Sequence, residues 1–479
     1  MLGAPACARL PARTPPTIVN DIHSRLNATE VARVEQPDSG ARLSALIRRA
    51  REDGRAVSIA GGRHAMGGQQ FGQGTVLLDM RRMARVLSLD AERGLVTVEA
   101  GIQWPALIDH LLRSQDGRRQ WGIVQKQTGA DRLTIGGALA ANVHGRGLAF
   151  PPFVADVESF TLMDGRGLVR RCSRQENAEL FRLAIGGYGL LGVVSEVTLR
   201  LAPRRKIERV VELVDTDGLM DRFDRRIREG FVYGDCQYAT DPGSDDFLRR
   251  GVFSCYRPVD DRTPTAEAQK ELSLADWDRL LLLSHVDKRR AFDAYAAYYL
   301  GTSGQVYWSD THQLSVYVDD YHVGLDRRLG AAAAGTEIIT EAYVPRARLS
   351  AFLDDVRRDF RQHAVDLIYG TIRLIEQDRE TVLAWAREPW ACVIFNLHAV
   401  HTREGLARVA DDFRRIIDVA ASHGGSYFLT YHRYARREQV ERCHPRLVEF
   451  LRAKRRHDPD DTFQSDWYRH YRTMFEDAL

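Results

Sequence analysis

The chain has 479 residues, which is too long for one hydrophobic core and predicts two or three domains. Its 68 basic and 65 acidic side chains nearly cancel to a net charge of +3, which argues against a dedicated nucleic-acid surface. The six cysteines are scattered and no apolar run is long enough for a membrane helix. We therefore predict reduced thiols, no transmembrane segment and a cytoplasmic location.

The N-terminal half predicts an α+β domain. Residues 1–16 lack a sustained apolar run and are predicted to form a disordered arm. The segments that follow, in chain order, are a helix in "ARLSALIRRAREDG", strands in "AVSIAGG" and "TVLLDM", a strand pair in "VLSLD" and "LVTVEAG", and a helix in "WPALIDHLLRS". Short strands mixed with helices continue to "VVSEVTLRLAP", so we place a domain boundary near Pro203.

The C-terminal half predicts longer elements. Strand patterns occur in "ERVVELVDT", "LSVYVDDY", "TEIITEAYVP", "LIYGTIRLIE" and "WACVIFNLHAVH", and helical patterns in "GLMDRFDRRIREG", "RARLSAFLDDVRRDFRQH" and "EGLARVADDFRRIIDVAASHGG". This order predicts an antiparallel sheet with helices on one face. The last fifty residues do not continue the alternation.

The first of three glycine-rich segments, "SIAGGRHAMGGQQFGQGTVLLDM" at 58–80, places six glycines around His64. A P-loop would need a lysine followed by a hydroxyl residue, and "GGRHAMGG" has neither. Its glycines still allow backbone amides to converge on phosphate oxygens. A flexible turn, a metal ligand at His64 and a cofactor anchor are the open alternatives.

The second segment, "TGADRLTIGGALAANVHGRG" at 128–147, surrounds His144 with small residues that would let a large flat ligand lie against the main chain. A close helix contact through small residues is the plainer alternative.

The third segment, "GGYGLLGVV", contains a literal GxGxxG at Gly187, Gly189 and Gly192. A Rossmann turn needs a strand before it and a helix after it, whereas here a helical pattern precedes and a strand pattern follows. The Rossmann interpretation therefore fails. Three such segments in one domain instead predict a dinucleotide gripped by backbone on another fold.

Together, "VSIAGGRHAMGG", "GGALAANVHGRG" and "ELFRLAIGGYGLLGVVSEVTLRL" resemble the FAD domain of the vanillyl-alcohol oxidase / p-cresol methylhydroxylase (PCMH-type) flavoproteins. The chain is most similar to the aldonolactone and alditol oxidase branch, which includes the decaprenylphosphoryl-ribose oxidases. The resemblance implies an α+β, two-domain flavoprotein. Its parts would be the arm at 1–16, a PCMH-type FAD-binding domain at 17–205, an antiparallel-sheet-plus-helices substrate (cap) domain at 206–430, and a C-terminal segment at 431–479 that returns to the FAD domain.

The resemblance also implies which residues bind FAD. The first loop would contact the diphosphate, the second would line the isoalloxazine ring and diphosphate, and the third would hold the far end of the cofactor. The implied cofactor-binding residues are Ala60, Gly61, Gly62, Arg63, His64, Ala65, Met66, Gly67, Thr128, Gly136, Gly137, Asn142, His144, Gly145, Gly189, Val193 and Val194. Many members carry at the position of His64 a histidine bonded to the flavin 8α-methyl carbon, so we expect covalent FAD through His64.

Substrate residues are expected on the second domain. Tyr369, Thr371 and Arg373 share a strand face by their period of two, and Arg373 matches an arginine that stabilises the substrate oxygen in the alditol-oxidase branch. The acidic partner of that branch is replaced by Thr371, which weakens the case for a polyol.

Asn396 and His398 share a second face, where His398 is a candidate proton acceptor with a structural histidine as the alternative. Glu337 and Glu341 are candidate hydroxyl binders, with solvent-facing strand positions as the alternative.

One family motif is missing. The His-Trp-Gly-Lys sequence typical of sugar-lactone oxidases is replaced by "FLTYHRYARR", where Tyr431, His432 and Arg433 are the candidates for its role. This departure argues against a simple gulonolactone or arabinonolactone oxidase. We name Arg373, His398 and His432 as candidate catalytic residues.

The prediction is an FAD-dependent oxidoreductase that oxidises a secondary or hemiacetal alcohol of a sugar, sugar-lactone or polyol-like compound and passes electrons to O2 or another acceptor. The alternatives are an FAD-dependent alkene reductase of the sterol Δ24-reductase type and a flavin-binding protein without turnover. No metal is predicted, because His398 and His401 of "HAVH" face opposite sides of a strand. No nucleophile elbow supports a hydrolase.

Overall fold

Four sheets organise the part of the chain that the computed structural model describes, which comprises residues 17–116, 120–265, 269–315, 318 and 320–479. The predicted arm at 1–16 lies outside the described residues. The strands are β1 (Thr17–Val19), β2 (Thr29–Val31), β3 (Arg33–Glu35), β4 (Val57–Ala60), β5 (Val76–Asp79), β6 (Val86–Asp90), β7 (Leu95–Glu99), β8 (Trp121–Ile123), β9 (Val157–Met163), β10 (Val169–Ser173), β11 (Val193–Pro203), β12 (Lys206–Asp215), β13 (Tyr233–Tyr238), β14 (Arg250–Pro258), β15 (Val306–Trp308), β16 (Gly335–Pro345), β17 (Leu367–Ile375), β18 (Trp390–Val400) and β19 (Ser426–Tyr427).

Helices pack on these sheets. They are α1 (Gly40–Glu52), α2 (Trp104–Arg113), α3 (Ile135–Ala141), α4 (Ala178–Ala184), α5 (Leu219–Arg228), α6 (Leu274–Val286), α7 (Lys288–Leu300), α8 (Tyr321–Leu329), α9 (Leu349–His363), α10 (Arg403–Ser422), α11 (Arg437–Cys443), α12 (Leu447–His457) and α13 (Asp466–Met474). Their apolar positions recur at helical spacing, as in α1, where Leu43, Leu46, Ile47 and Ala50 are buried.

The N-terminal half contains two main sheets. β3, β5 and β4 form a small parallel sheet, and β10, β9, β11, β7 and β6 form an antiparallel sheet to which β8 adds through β11. The predicted pairing of "VLSLD" with "LVTVEAG" is confirmed as β6 and β7. The third glycine segment lies between helix α4 and strand β11, so the order opposite to a Rossmann turn is also confirmed.

The C-terminal half is built on one eight-stranded sheet, in the order β15-β12-β14-β13-β17-β18-β16-β19. All of its named pairings are antiparallel, and α9 and α10 contribute buried faces to the same core. The mixed α+β class and the antiparallel second sheet are therefore confirmed. β11 ends at Pro203 and β12 begins at Lys206, which supports the proposed division near 205.

The prediction of a strand over "LSVYVDDY" is wrong at its C-terminal end. Tyr321 begins α8, while positions 316, 317 and 319 lie outside the described residues. Gly330 ends this helix in the left-handed conformation at φ 63°, where a glycine costs little. Gly330 is a signal in the sequence for the end of a helix. It predicts the structure here better than the short alternation of apolar and polar residues before it.

The C-terminal helices pack against the N-terminal half. Phe450, Trp467 and Tyr471 share one buried cluster with Val96 of β7. The chain near Phe463 also bonds to β4, because the Val57 amide donates to the Thr462 carbonyl at 2.7 Å and the Gln464 amide to the Val57 carbonyl at 2.9 Å. These contacts support the proposal that the C-terminal segment returns to the first domain.

One carboxyl group makes the stability of the N-terminal half depend on pH. Asp156 is buried, its Oδ2 has no hydrogen-bond partner among the described residues, and burial raises its pKa to about 8. A raised pKa in the folded state means that the folded chain binds more protons, so the stability that the protonated group contributes is lost as the pH rises from about 4 to about 8. We expect Asp156→Asn to remove most of this loss. Thermal unfolding of both proteins at pH 5 and pH 8 measures it; an equal fall in both midpoints would contradict the assignment.

Candidate functional site

One cavity of about 990 Å³ lies between the glycine segments of the first domain and the sheet of the second. Its volume is near the upper end of the range of ~300–1,000 Å³ that ligand sites occupy. All three glycine segments line one part of its wall, and polar side chains of β16, β17 and β18 line another. The residues predicted from the sequence are therefore largely brought together.

The first glycine segment follows β4, and its residues Ala60 to Met66 line the cavity. Close packing requires glycine at two of its positions. A Cβ at Gly61 would overlap Thr134 Oγ1, and a Cβ at Gly62 would overlap the carbonyl oxygen of Arg132. The first and second segments thus touch each other through backbone. Gly67 lies outside the lining residues, and its amide donates to Gln69 Oε1 at 3.0 Å.

This packing predicts that Gly62→Ala loses the cofactor. The added methyl group would push the second segment away from the first, so we expect at least a ~10-fold drop in the flavin-to-protein ratio of the purified protein. Gly40→Ala is the matched control, because a Cβ at Gly40 meets no atom within 4 Å. Normal flavin content in Gly62→Ala would contradict the close contact.

His64 is buried and pairs with a residue that the sequence did not indicate. Its Nδ1 lies 2.8 Å from Nε2 of His23, and the two rings are 4.9 Å apart. Burial lowers the pKa of His23 to about 4, and burial together with the neighbouring His23 holds the pKa of His64 well below its usual value. His64 therefore presents a neutral imidazole at the cavity. His23 stands alone in "DIHSRLN", so no sequence pattern marks it.

The second segment forms the turn into α3. Thr134 caps this helix by accepting a bond from the Gly137 amide at 3.1 Å, and Gly136 packs so closely that a Cβ would be 2.9 Å from Cβ of Ala100. Thr128, Gly136, Gly137 and His144 line the cavity.

Two predicted contacts of this segment have another role. Asn142 has a left-handed backbone at φ 48°, donates to Asp378 Oδ2 at 2.9 Å and accepts from the Val154 amide at 2.9 Å. Gly145 donates to Gln125 Oε1 at 3.3 Å. Neither is among the lining residues, because their polar groups are turned toward the chain that supports the loop.

The third segment contributes Tyr188, Gly189, Gly192 and Val194 to the cavity wall. Gly189 has φ 74° and Gly192 has φ 151°, conformations that favour glycine. Val193 lies outside the lining residues and packs in the core with Met163 and Phe463.

The second domain supplies a polar face. Tyr369, Thr371, Arg373 and Asn396 all line the cavity, as their strand positions predict. Arg373 is buried and donates to Thr128 Oγ1 of the second glycine segment, so it joins the two domains at the cavity. Thr371 Oγ1, Asn396 Oδ1 and Arg373 Nε have no hydrogen-bond partner among the described residues. Buried polar atoms without partners are costly, and a polar ligand in the cavity would satisfy them.

Glu341 is held by four hydrogen bonds, the weakest of them from Cys392 Sγ at 3.7 Å. Its carboxylate accepts from Tyr431 at 2.7 Å and Tyr343 at 2.6 Å, and pairs with His144 Nε2 at 2.9 Å. Burial opposes ionisation, but these contacts, above all that with His144, lower the pKa of Glu341 to about 2. The carboxylate therefore holds the side chains of Tyr431 and His144 in place at the cavity wall.

Two candidate catalytic histidines lie outside the lining residues. His432 is buried and stacks on Tyr434 with ring centroids 5.2 Å apart, and burial lowers its pKa to about 4. Its neighbour Tyr431 reaches the cavity instead. His398 lies behind Glu337, which does line the cavity; despite burial, pairing with Glu337 raises the pKa of His398.

Sequence reasoning also missed an aromatic wall. Tyr295, Tyr299 and Tyr307 line the cavity, and the Arg209 guanidinium lies 4.6 Å from the centre of the Tyr307 ring. Tyr295 and Tyr299 share one face of α7 at a spacing of four, and this periodicity in "DAYAAYYL" was the available signal.

The geometry fits an FAD. A wall of glycines allows backbone to approach a dinucleotide closely, and the unpartnered polar atoms of Thr371, Arg373 and Asn396 lie on another part of the wall, where a small substrate could bind. No metal or further cofactor is needed for this fit.

Comparison with known proteins supports the same class of site. Residues 31–173 match the model of an FAD binding domain family. The chain is 28% identical over 195 residues to L-gulonolactone oxidase of Bos taurus. The alignment covers 40% of this chain and 42% of that protein. It is 31% identical over 191 residues to L-gulono-1,4-lactone dehydrogenase of Mycobacterium tuberculosis, covering 38% of this chain and 42% of that one.

A longer alignment joins this chain to decaprenylphosphoryl-beta-D-ribose oxidase of Mycolicibacterium smegmatis, at 22% identity over 439 residues, 89% of this chain and 91% of that protein. The chain spans only about two fifths of the length of the first two relatives. The chain therefore contains an FAD-binding domain, and its resemblance to the aldonolactone oxidase branch is confirmed. In the described part of the chain no helix combines the length and apolar character that crossing a bilayer requires.

Proposed function

We propose that this protein is an FAD-dependent oxidoreductase that oxidises a secondary or hemiacetal alcohol of a sugar, sugar lactone or polyol-like compound. One observation carries the proposal: the glycine segments of the FAD-binding domain and the polar face of Tyr369, Thr371, Arg373 and Asn396 line the same cavity. The relatives support it, because their names describe oxidation of sugar lactones or of a ribose derivative.

The chain's own residues would orient the alcohol and stabilise charge. FAD, when bound, supplies a hydride acceptor at flavin N5. Arg373 offers a buried guanidinium whose Nε has no hydrogen-bond partner among the described residues and lies 4.0 Å from Asp235 Oδ2, so it would stabilise the negative charge that develops on the substrate oxygen. Thr371 and Asn396 bind neighbouring hydroxyl groups, and the walls of the cavity exclude bulk water.

His64 is proposed to bond to the flavin 8α carbon. Its imidazole is neutral and buried at the cavity, and His23 holds the ring in place. Forming this bond would release two protons, from the imidazole N–H and from one C–H of the methyl group, and two electrons that O2 or another acceptor would take up. We place the protein in the cytoplasm, since the five described cysteines are buried and free.

An anaerobic screen tests the proposed function. Sugars, sugar lactones and polyols are mixed with the purified holoprotein, and loss of flavin absorbance at about 450 nm is followed. We expect at least one of these alcohols to bleach the flavin, and NADPH alone not to. Bleaching by NADPH alone would favour the alkene reductase. Stable colour with all compounds would favour a flavin-binding protein without turnover.

A further inference from the structure

A cluster of three metal-ligating side chains lies at the edge of the cavity, outside the machinery described above. His285 comes from the end of α6, Glu337 from β16 and His398 from β18. Their side chains are 4%, 3% and 16% exposed, respectively. Three elements distant in the chain thus converge on one point through ligand-type groups.

The distances between these groups suit a small cation. His285 Nε2 lies 3.1 Å from Glu337 Oε1, and His398 Nδ1 lies 3.2 Å from the same oxygen. The ligand atoms all lie within 4.8 Å of one another. A tetrahedral Zn²⁺ with ligands at ~2.0–2.1 Å separates them by ~3.3 Å, close to both measured distances.

The His285 ring supplies a second observation. Its Nε2 is buried and forms no hydrogen bond of acceptable geometry with any described residue, although Glu337 Oε1 is only 3.1 Å away. A buried imidazole nitrogen that lies this close to a carboxylate oxygen without a well-formed hydrogen bond could share a metal ion with it.

We propose that His285, Glu337 and His398 form a divalent-metal site that takes Zn²⁺. Two imidazoles and one carboxylate are a donor set that suits Zn²⁺ better than Mg²⁺ or Ca²⁺, which prefer oxygen ligands. The site has outer support: the Tyr321 hydroxyl donates to Glu337 Oε2 and fixes the carboxylate. Gly335 leaves room for the His398 ring, because a Cβ there would lie 2.8 Å from its Nε2.

The metal would stabilise the cap domain. Glu337 and Tyr321 line the cavity, so the fourth coordination position faces it and takes water or an oxygen of a bound molecule. Glu337 lies four residues from Glu341 on the same strand face, about 13 Å along β16. The ion therefore holds α6 against the sheet at a distance from the His144–Glu341 pair.

Metal analysis of the holoprotein tests the site. The protein is treated with a chelating resin, incubated with Zn²⁺, desalted and analysed for zinc and flavin. We expect about one Zn²⁺ per chain in the unmodified protein and in His401→Ala, and less than about one tenth of that in His285→Ala and His398→Gln. His401 is the matched control because it lies beside the cluster but bonds to Thr336 at 2.8 Å.

A ligand variant could also lose zinc because it misfolds. The thermal unfolding midpoint, measured with and without Zn²⁺, separates this case from the loss of a metal ligand. Zn²⁺ should raise the midpoint of the unmodified protein and of His401→Ala, and should leave that of a flavin-containing His285→Ala or His398→Gln unchanged. An unmodified protein that takes up no zinc would overturn the proposal. Equal zinc in the control and in both ligand variants would also overturn it.

Discussion

Replacing Arg373 with methionine is expected to lower kcat/KM for the alcohol substrate about 100- to 1,000-fold while FAD remains bound. Arg373 is buried at the cavity and donates to Thr128 of the second glycine segment. Methionine keeps much of the side-chain volume but removes the positive charge that we propose stabilises the substrate oxygen. Anaerobic flavin reduction, followed at several substrate concentrations, separates the effect on binding from the effect on the rate.

Arg357→Met is the control for removing a buried arginine. Its side chain is buried on α9, donates to the Asp245 carbonyl and is not among the residues lining the cavity. We expect its kcat/KM to stay within about twofold of the unmodified protein. Equal kcat/KM in the Arg373 variant and in the control would remove Arg373 from the proposed mechanism.

Replacing His64 with alanine is expected to move the flavin from the acid-precipitated protein into the supernatant. In the unmodified protein we expect the yellow colour to stay in the pellet, because acid breaks the fold but not a carbon–nitrogen bond. The reason is the buried, neutral imidazole of His64 at the first glycine segment. The variant should also have a lower flavin reduction potential, since the covalent link is expected to raise it.

His110→Ala provides the control, because His110 is exposed on α2 in the same domain. Its flavin should remain in the pellet. If the unmodified protein releases all its flavin on precipitation and His64→Ala binds FAD normally, the covalent link does not exist.

Much of the fold could be predicted because its signals are local. The alternation in "TEIITEAYVP" and the helical period of "EGLARVADDFRRIIDVAASHGG" each depend on which face of one element is buried. The glycine segments were also readable, since a side chain at Gly62 would overlap Arg132 and the positive φ of Gly189 favours glycine.

The rest of the site depends on contacts between distant parts of the chain. Nothing near His23 indicates that it meets His64, 41 residues later. His285, Glu337 and His398 come from three separate elements, so no local spacing in the sequence brings them together. Tyr431, His432 and Arg433 follow one another on a loop without periodicity, and only the folded chain shows that Tyr431, rather than the predicted catalytic His432, reaches the cavity.

An anaerobic titration with product analysis tests the central claim most directly. The alcohol that bleaches the flavin in the screen is added stepwise to the holoprotein, and the carbonyl product is quantified together with the reduced flavin. The proposed function predicts one carbonyl formed for each flavin reduced. Flavin bleached without any carbonyl product would contradict the oxidation of an alcohol at this site.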